Sequence, residues 1–198
     1  MKATELLKSQ HKEVKDLFKR IEEARSRDEE SSLFEELAQS IVAHDAIERE
    51  IFYPACEKEM GMTKLLGEAL VEHGVVEFSL HVADAARGGD DFDHKVQVLS
   101  EMIKHHVKEE ETELLPKVEK ALGADLQETL ATEMKTRFEE VQAEDFRGPL
   151  QKKLEQVLAG ASTAHATSDG KKPASRKAPA KADAAKGAAH SKNARASS

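Results

Sequence analysis

The sequence predicts an all-α protein: an up-down-up-down four-helix bundle with an appended C-terminal helix and a tail. Three observations support this prediction. Ala, Leu, Glu and Lys dominate the 198 residues and aromatic residues are only 4%, a composition typical of helical rather than sheet proteins. Inward-facing residues recur at helical spacing in four long segments. Short connections containing Gly or Asp favour antiparallel packing of those segments.

The first two segments form one helical hairpin. In the first, steps of three and four residues predict an amphipathic helix with this inner face: Leu7, His11, Val14, Phe18 and Ile21. The second segment repeats the stepping with this inner face: Phe34, Leu37, Ile41, His44, Glu48, Ile51 and Ala55. Because proline removes a backbone donor, we expect this helix to kink or end near Pro54.

The next two segments form a second hairpin. Thr63 is predicted to be the N-cap of the third helix, which should end at Gly88 and Gly89. The inner face of this helix is predicted to contain Leu66, Leu70, His73, Glu77 and Leu80. The fourth helix is predicted to end at Gly123 and to have this inner face: Val96, Leu99, Ile103, His106, Glu110 and Leu114. Residues 1–122 are therefore predicted to form the bundle.

The remaining residues divide into two parts. Residues 123–160 are predicted to form an appended helical segment, amphipathic from Leu126 to about Val141 and interrupted at Gly148 and Pro149. Residues 161–198 are rich in Ala, Lys, Ser and Pro, and are predicted to be a disordered basic tail. Residues 1–160 hold 22 of the 30 basic and 36 of the 38 acidic residues. An acidic body with a net charge of −14 therefore precedes a tail with a net charge of +6.

The chain shows no signal peptide and no apolar stretch of membrane-spanning length. We therefore expect a cytoplasmic protein with no membrane partner. Cys56 is the only cysteine, which excludes an internal disulfide or a thiolate cluster, and any metal must bind mainly through nitrogen and oxygen. Cys56 is predicted to be a small half-buried apolar residue, with a redox role near the site as the alternative. The single tyrosine, Tyr53, is predicted to pack beside Pro54, with gating or ligating the site as the alternative.

A repeat of 62 residues is the most informative pattern. The first copy reads His11, His44, Glu48 and Pro54, and the second reads His73, His106, Glu110 and Pro116. Residues four apart on a helix project together, so each His and Glu pair points into the bundle. Four imidazoles and two carboxylates buried without partners would cost several kcal/mol each. Two metal ions bridged by the carboxylates remove that cost.

The donor set favours iron, with manganese or zinc as less favoured alternatives. The motifs HDAIEREIFYP, at His44 to Pro54, and HVKEEETELLP, at His106 to Pro116, resemble those of the hemerythrin-like HHE cation-binding family over about residues 3–122. Ferritin-like di-iron bundles instead use Glu-x-x-His. The resemblance implies two non-heme iron ions with a bridging oxo or hydroxo group, and a small diatomic ligand or peroxide as the binding partner.

The sequence departs from oxygen-carrying hemerythrins at two positions. Those proteins have a further histidine after the third-helix histidine and a bridging Asp after the fourth-helix one, whereas this chain has Glu77 and Glu110. Glu77 is predicted to be either an additional ligand or a hydrogen-bond acceptor beside the ligands. The resemblance therefore implies handling of iron or small oxidants (oxygen, peroxide or nitric oxide) in sensing, storage or stress defence, rather than oxygen carriage.

Two alternatives remain open from the sequence. The first is an enzyme that turns over peroxide or nitric oxide at the di-iron site. The second is a DNA-associated iron-handling protein, with weak non-specific nucleic-acid contact through residues 171–195. The histidines outside the repeat are predicted to have surface or tail roles: His81, His94, His105, His165 and His190. The sequence gives no oligomeric state.

Overall fold

A computed structural model describes residues 1–155, in which every regular element is helical. The α-helices are α1 (Ala3–Glu22), α2 (Arg27–Ile47), α3 (Tyr53–Met60), α4 (Lys64–Ala85), α5 (Phe92–Glu109), α6 (Leu115–Ala121) and α7 (Ala124–Gln142). A terminal helical stretch covers 147–155. No helix in this part of the chain is long and apolar enough to cross a membrane. The predicted tail, including the proposed nucleic-acid contact at 171–195, lies outside the described residues.

Four helical rods form the predicted bundle. The first and third rods are α1 and α4, whereas the second consists of α2 and α3 and the fourth of α5 and α6. Within the hairpins α1 packs on α2 and α4 on α5, and contacts of α1 with α5 and of α2 with α4 close the ring. This arrangement brings one inner face from each rod to a common axis.

Local signals at the helix ends match the sequence. The Thr63 hydroxyl accepts a hydrogen bond from the Leu66 backbone N–H at 3.2 Å, so Thr63 is the N-cap of α4 as predicted. Ser26 does the same for α2 by accepting from the Glu29 N–H at 3.2 Å. Gly88 follows α4 with φ of 76°, a conformation that glycine adopts at little cost.

Pro54 does not end the second rod, which continues to Met60, and the fourth rod passes Pro116 and ends at Ala121, close to the predicted end at Gly123. Two π-helical segments, Glu48–Phe52 and Glu110–Leu114, precede Pro54 and Pro116. In each, the backbone N–H of the residue after the segment donates a hydrogen bond to the carbonyl five residues earlier, as the Tyr53 N–H does to the Glu48 carbonyl. The wider π turn moves the backbone at the point where the proline ring would otherwise clash with a carbonyl of the preceding turn. Each proline therefore lies in the first turn of the α-helix that follows the π segment.

Two apolar clusters lie on either side of a polar layer. One contains large side chains from all four rods, among them Phe18, Phe34, Leu37, Leu80 and Leu99. The other lies nearer the π segments and the start of α1, and includes Leu7, Phe52, Leu66, Leu114 and Met134. Along α1, His11 falls between Leu7 of one cluster and Val14 of the other. The predicted metal ligands are therefore enclosed from both ends of the bundle.

The appended segment covers one side of the bundle, where α7 packs against α1 and α2. The chain then turns at 143–146 and starts the terminal helical stretch, so the interruption precedes Gly148 and Pro149 instead of falling at them. Proline is tolerated in the first turn of a helix, where its missing N–H needs no partner. Phe146 is fully buried, and Arg147 donates to Glu35 and Asp84 at 2.9 Å each, which fastens the stretch to α2 and α4.

Candidate metal centre

The six predicted ligands meet in the polar layer. Glu48 is fully buried, and His11, His73, His106 and Glu110 are 2–6% exposed, while the His44 side chain is 12% exposed. Every histidine turns its Nε2 atom toward a carboxylate. The distances to Glu48 Oε2 are 3.2 Å from His44 and 3.1 Å from His73, and those to Glu110 Oε2 are 3.3 Å from His11 and 3.8 Å from His106.

The donor atoms form two overlapping clusters. One contains His11, His44, Glu48 and Glu110, and the other contains Glu48, His73 and His106; within each, all ligand atoms lie within 4.8 Å of one another. Glu48 belongs to both. Because a carboxylate has two oxygens, Glu48 can serve both clusters.

Hydrogen bonds at the opposite ring nitrogen fix the orientation of all four imidazoles. Their Nδ1 atoms donate to Glu111 (from His11, 3.0 Å), Gln10 (from His44, 2.9 Å), Asp45 (from His73, 2.5 Å) and Glu72 (from His106, 2.8 Å). Such acceptors set the tautomer of a ligating histidine and raise its basicity. The arrangement therefore leaves Nε2 of each ring facing the common centre.

Buried donor atoms without partners provide a direct test of whether these residues fit a metal. At this centre the atoms with no hydrogen-bond partner among the described residues are His11 Nε2, His44 Nε2, His106 Nε2, both Glu48 oxygens and Glu110 Oε2. A buried polar group left unpaired costs about 1–3 kcal/mol. Their convergence is the arrangement that a cation would satisfy, so the residues fit a bound metal.

The charges at the centre depend on one another. Burial opposes protonation of His73, but its contacts with Asp45 and Glu48 raise its pKa to about 10. Burial likewise opposes the ionised form of Glu48, yet His44 and His73 hold the pKa of that carboxyl well below its usual range. Without a cation, protonated imidazoles therefore supply the positive charge that the carboxylates need.

Tyr53 contacts the centre, in addition to packing in the apolar cluster as predicted. Its hydroxyl donates to Glu110 Oε1 at 2.8 Å and lies 2.9 Å from His73 Nε2. In the π segment a backbone hydrogen bond joins residues five apart, which brings Tyr53 close to Glu48 in a way that α-helical spacing does not predict. Cys56 is fully buried, and burial raises the pKa of its thiol to about 12, consistent with a packing role.

A largely apolar cavity adjoins the centre. The four histidines predicted as ligands line it. Apolar side chains form most of the remaining wall: Val14, Ile41, Val42, Val76, Leu80, Ile103, Val107 and, from the terminal helical stretch, Leu150. The wall also contains the charged residues Asp45, Glu77 and Lys153. The cavity gives a small molecule a water-poor place beside the ligands.

Glu77 belongs to neither donor cluster. Its two oxygens lie 3.6 Å from Lys153 Nζ and 3.6 Å from Arg49 Nη2, and its side chain is 5% exposed. Burial, with Asp45 nearby, raises the pKa of this carboxyl. Lys153 also contacts Asp45, which in turn accepts from His73. The terminal helical stretch thus reaches the residues that surround the centre.

The fold and this centre define a metal-binding helical bundle. The chain belongs to the hemerythrin HHE cation binding domain family, whose model matches residues 2–118. A crystal structure of a hemerythrin HHE cation binding domain-containing protein from Mycobacterium kansasii is similar, with a TM-score of 0.66 and 27% identity over 76% of this chain and 97% of that one. No curated protein matches the chain.

Metal binding is expected to release protons at pH 7. Nε2 must lose its proton before it binds a cation, and the pKa of His73 is about 10, so this ring holds both protons at neutral pH. Metal affinity should therefore increase as pH rises toward about 10. Titration of metal-free protein in weak buffer with an indicator dye should detect loss of at least one proton per chain; proton uptake would contradict this assignment.

The substitution Tyr53→Phe should destabilise the metal-free protein. It removes the donor to Glu110 Oε1, which is then buried without that partner, and the expected loss in unfolding free energy is about 1–3 kcal/mol. Urea denaturation followed by circular dichroism measures this change. An unchanged denaturation midpoint would mean that the hydroxyl of Tyr53 does not stabilise Glu110.

Proposed function

We propose that this protein is a non-heme di-iron protein that handles iron or small oxidants in sensing, storage or stress defence. The observation that carries the proposal is the pair of donor clusters sharing Glu48. Four imidazole nitrogens and two carboxylates suit iron, with manganese and zinc less favoured. When bound, iron would supply reversible one-electron chemistry and positions for small ligands.

The residues around the donors support a site for small molecules. The walls of the cavity are largely apolar, and Lys153 brings a cationic side chain to them beside Asp45 and Glu77. Because the histidines are held at Nδ1 by hydrogen bonds, they can keep their orientation when metal enters or leaves. Oxygen, peroxide and nitric oxide are small enough for such a space, and larger organic substrates are not suited to it.

A second candidate is an enzyme that turns over peroxide or nitric oxide. The observation that favours it is Glu77, a carboxyl in the cavity wall whose two oxygens have no hydrogen-bond partner among the described residues. Its raised pKa suits a group that gives or accepts a proton. Steady-state assays of the iron-loaded protein separate the candidates, because an enzyme consumes many equivalents of peroxide or nitric oxide and a binding protein reacts only once.

The variants His44→Ala and Glu110→Ala test the proposed ligands. Each removes one donor, and Glu110 contributes an atom close to both His11 and His106, so we expect neither variant to hold an iron pair. Both should stay helical, because the apolar clusters on either side are unchanged. His81→Ala, an exposed change on α4, is the matched control and should load as the wild type does.

Iron analysis and visible absorption spectra with azide measure the outcome. The wild type is expected to hold two irons per chain and to respond to azide, whereas the two ligand variants should hold fewer than two. Retention of the full iron pair in either variant would show that the assigned residue is not a ligand. A wild type with less than one iron per chain after growth with iron would contradict the proposed function.

A further inference from the structure

A second group of metal-binding side chains lies at the surface beside the centre. His105 and Glu109 are one turn apart on α5, and Glu72 faces them from α4. His105 Nε2 is 3.5 Å from Glu72 Oε1 and 3.5 Å from Glu109 Oε1, and the three donor atoms lie within 4.8 Å of one another. The His105 side chain is 64% exposed. We call these three residues the outer cluster.

A narrow crevice lies between the outer cluster and the buried centre. Its polar lining consists of Glu72 and Glu109 from the outer cluster and His106 and Glu110 from the centre. Glu110 is 2% exposed, and neither its Oε2 nor His106 Nε2 has a hydrogen-bond partner within residues 1–155. Donor atoms are thus available at the outer cluster, along the crevice and at the centre.

The 62-residue repeat shows that the charge of Glu72 is not needed to orient a ligand. Gln10 is the counterpart of Glu72, and each accepts a hydrogen bond from the Nδ1 atom of a ligand histidine, at 2.9 Å and 2.8 Å. A neutral amide is therefore sufficient for that task. The negative charge of Glu72 is an additional property, and its second oxygen faces His105.

The other half of the bundle has no comparable cluster. The counterparts of His105 and Glu109 are Ala43 and Ile47, which are fully buried, on the side where α7 packs against α1 and α2. The α4 and α5 side is left open by α7. Among residues 1–155, a surface cluster of nitrogen and oxygen donors of this kind is therefore found on the α4 and α5 side.

We propose that the outer cluster captures a divalent first-row metal ion, Fe²⁺ above all, and passes it through the crevice to the buried centre. One imidazole and two carboxylates suit such ions, and three exposed ligands leave room for water, so binding is weak enough for release. Acidic groups at the mouth of a cleft also concentrate cations and speed association. This inference rests on the proposed function, because the ion is delivered to the proposed centre.

The test follows metal loading instead of activity. Metal-free protein, prepared by chelation, is mixed anaerobically with Co²⁺, and the visible bands of cobalt at the centre report the rate and final extent of loading. The variants are Glu72→Gln, which keeps an acceptor for His106 as Gln10 does for His44, together with His105→Ala and Glu109→Gln. The control is Glu133→Gln, which makes the same charge change at an exposed position on α7.

In the wild type and the control, the loading rate should saturate as Co²⁺ concentration rises, because capture precedes transfer. Each of the three variants should load about tenfold more slowly at low Co²⁺, and His105→Ala and Glu109→Gln, which lie outside the centre, should reach the same final stoichiometry. Wild-type rates in all three variants, with normal stoichiometry, would overturn the capture role alone. A wild type that never binds two metal ions per chain would instead contradict the proposed function.

Discussion

The structure depends on a layer of six ionisable side chains buried between two apolar clusters. Each imidazole is fixed at Nδ1, and its Nε2 faces a carboxylate in the middle of the bundle. Such a layer is costly to bury unless opposite charges or a metal ion compensate it. The long rods, the enclosing clusters and the surrounding acceptors all hold this layer in one geometry.

The duplicated hairpin explains how one chain builds a nearly symmetric centre. The repeat extends to the backbone, because the two π segments occupy equivalent positions that begin at Glu48 and Glu110. The symmetry is incomplete in the surroundings. Tyr53 corresponds to Leu115, so only one half contributes a phenol to the centre, and α7 packs mainly against the first hairpin. These differences give the two donor clusters unequal surroundings.

The sequence predicts the fold and the convergence of the six ligand-type residues, because helical periodicity and the repeat depend on spacing alone. It does not predict the π segments, since they have no distinct spacing pattern, and the contact of Tyr53 with Glu110 was therefore missed. The roles of Gln10, Asp45 and Glu72 were also missed. They depend on packing between neighbouring helices, whose rotation about their axes the periodicity fixes only approximately.

The position of Lys153 depends on how the terminal helical stretch folds back, which the turn at 143–146 and the burial of Phe146 determine. His105 was expected to have only a surface role, because it is 100° around the helix from His106. His105 does lie at the surface, and the structure adds that its side chain contacts those of Glu72 and Glu109 there. Side-chain clusters between two helices need the three-dimensional arrangement before they can be recognised.

The central claim is that two metal ions lie between Glu48 and Glu110 and are held by the Nε2 atoms of four histidines. Anomalous diffraction at the iron absorption edge, from crystals of the iron-loaded protein, tests it most directly. The account predicts two iron peaks in the polar layer, with Glu48 in contact with both. A single peak there, or iron found only at other positions, would contradict it.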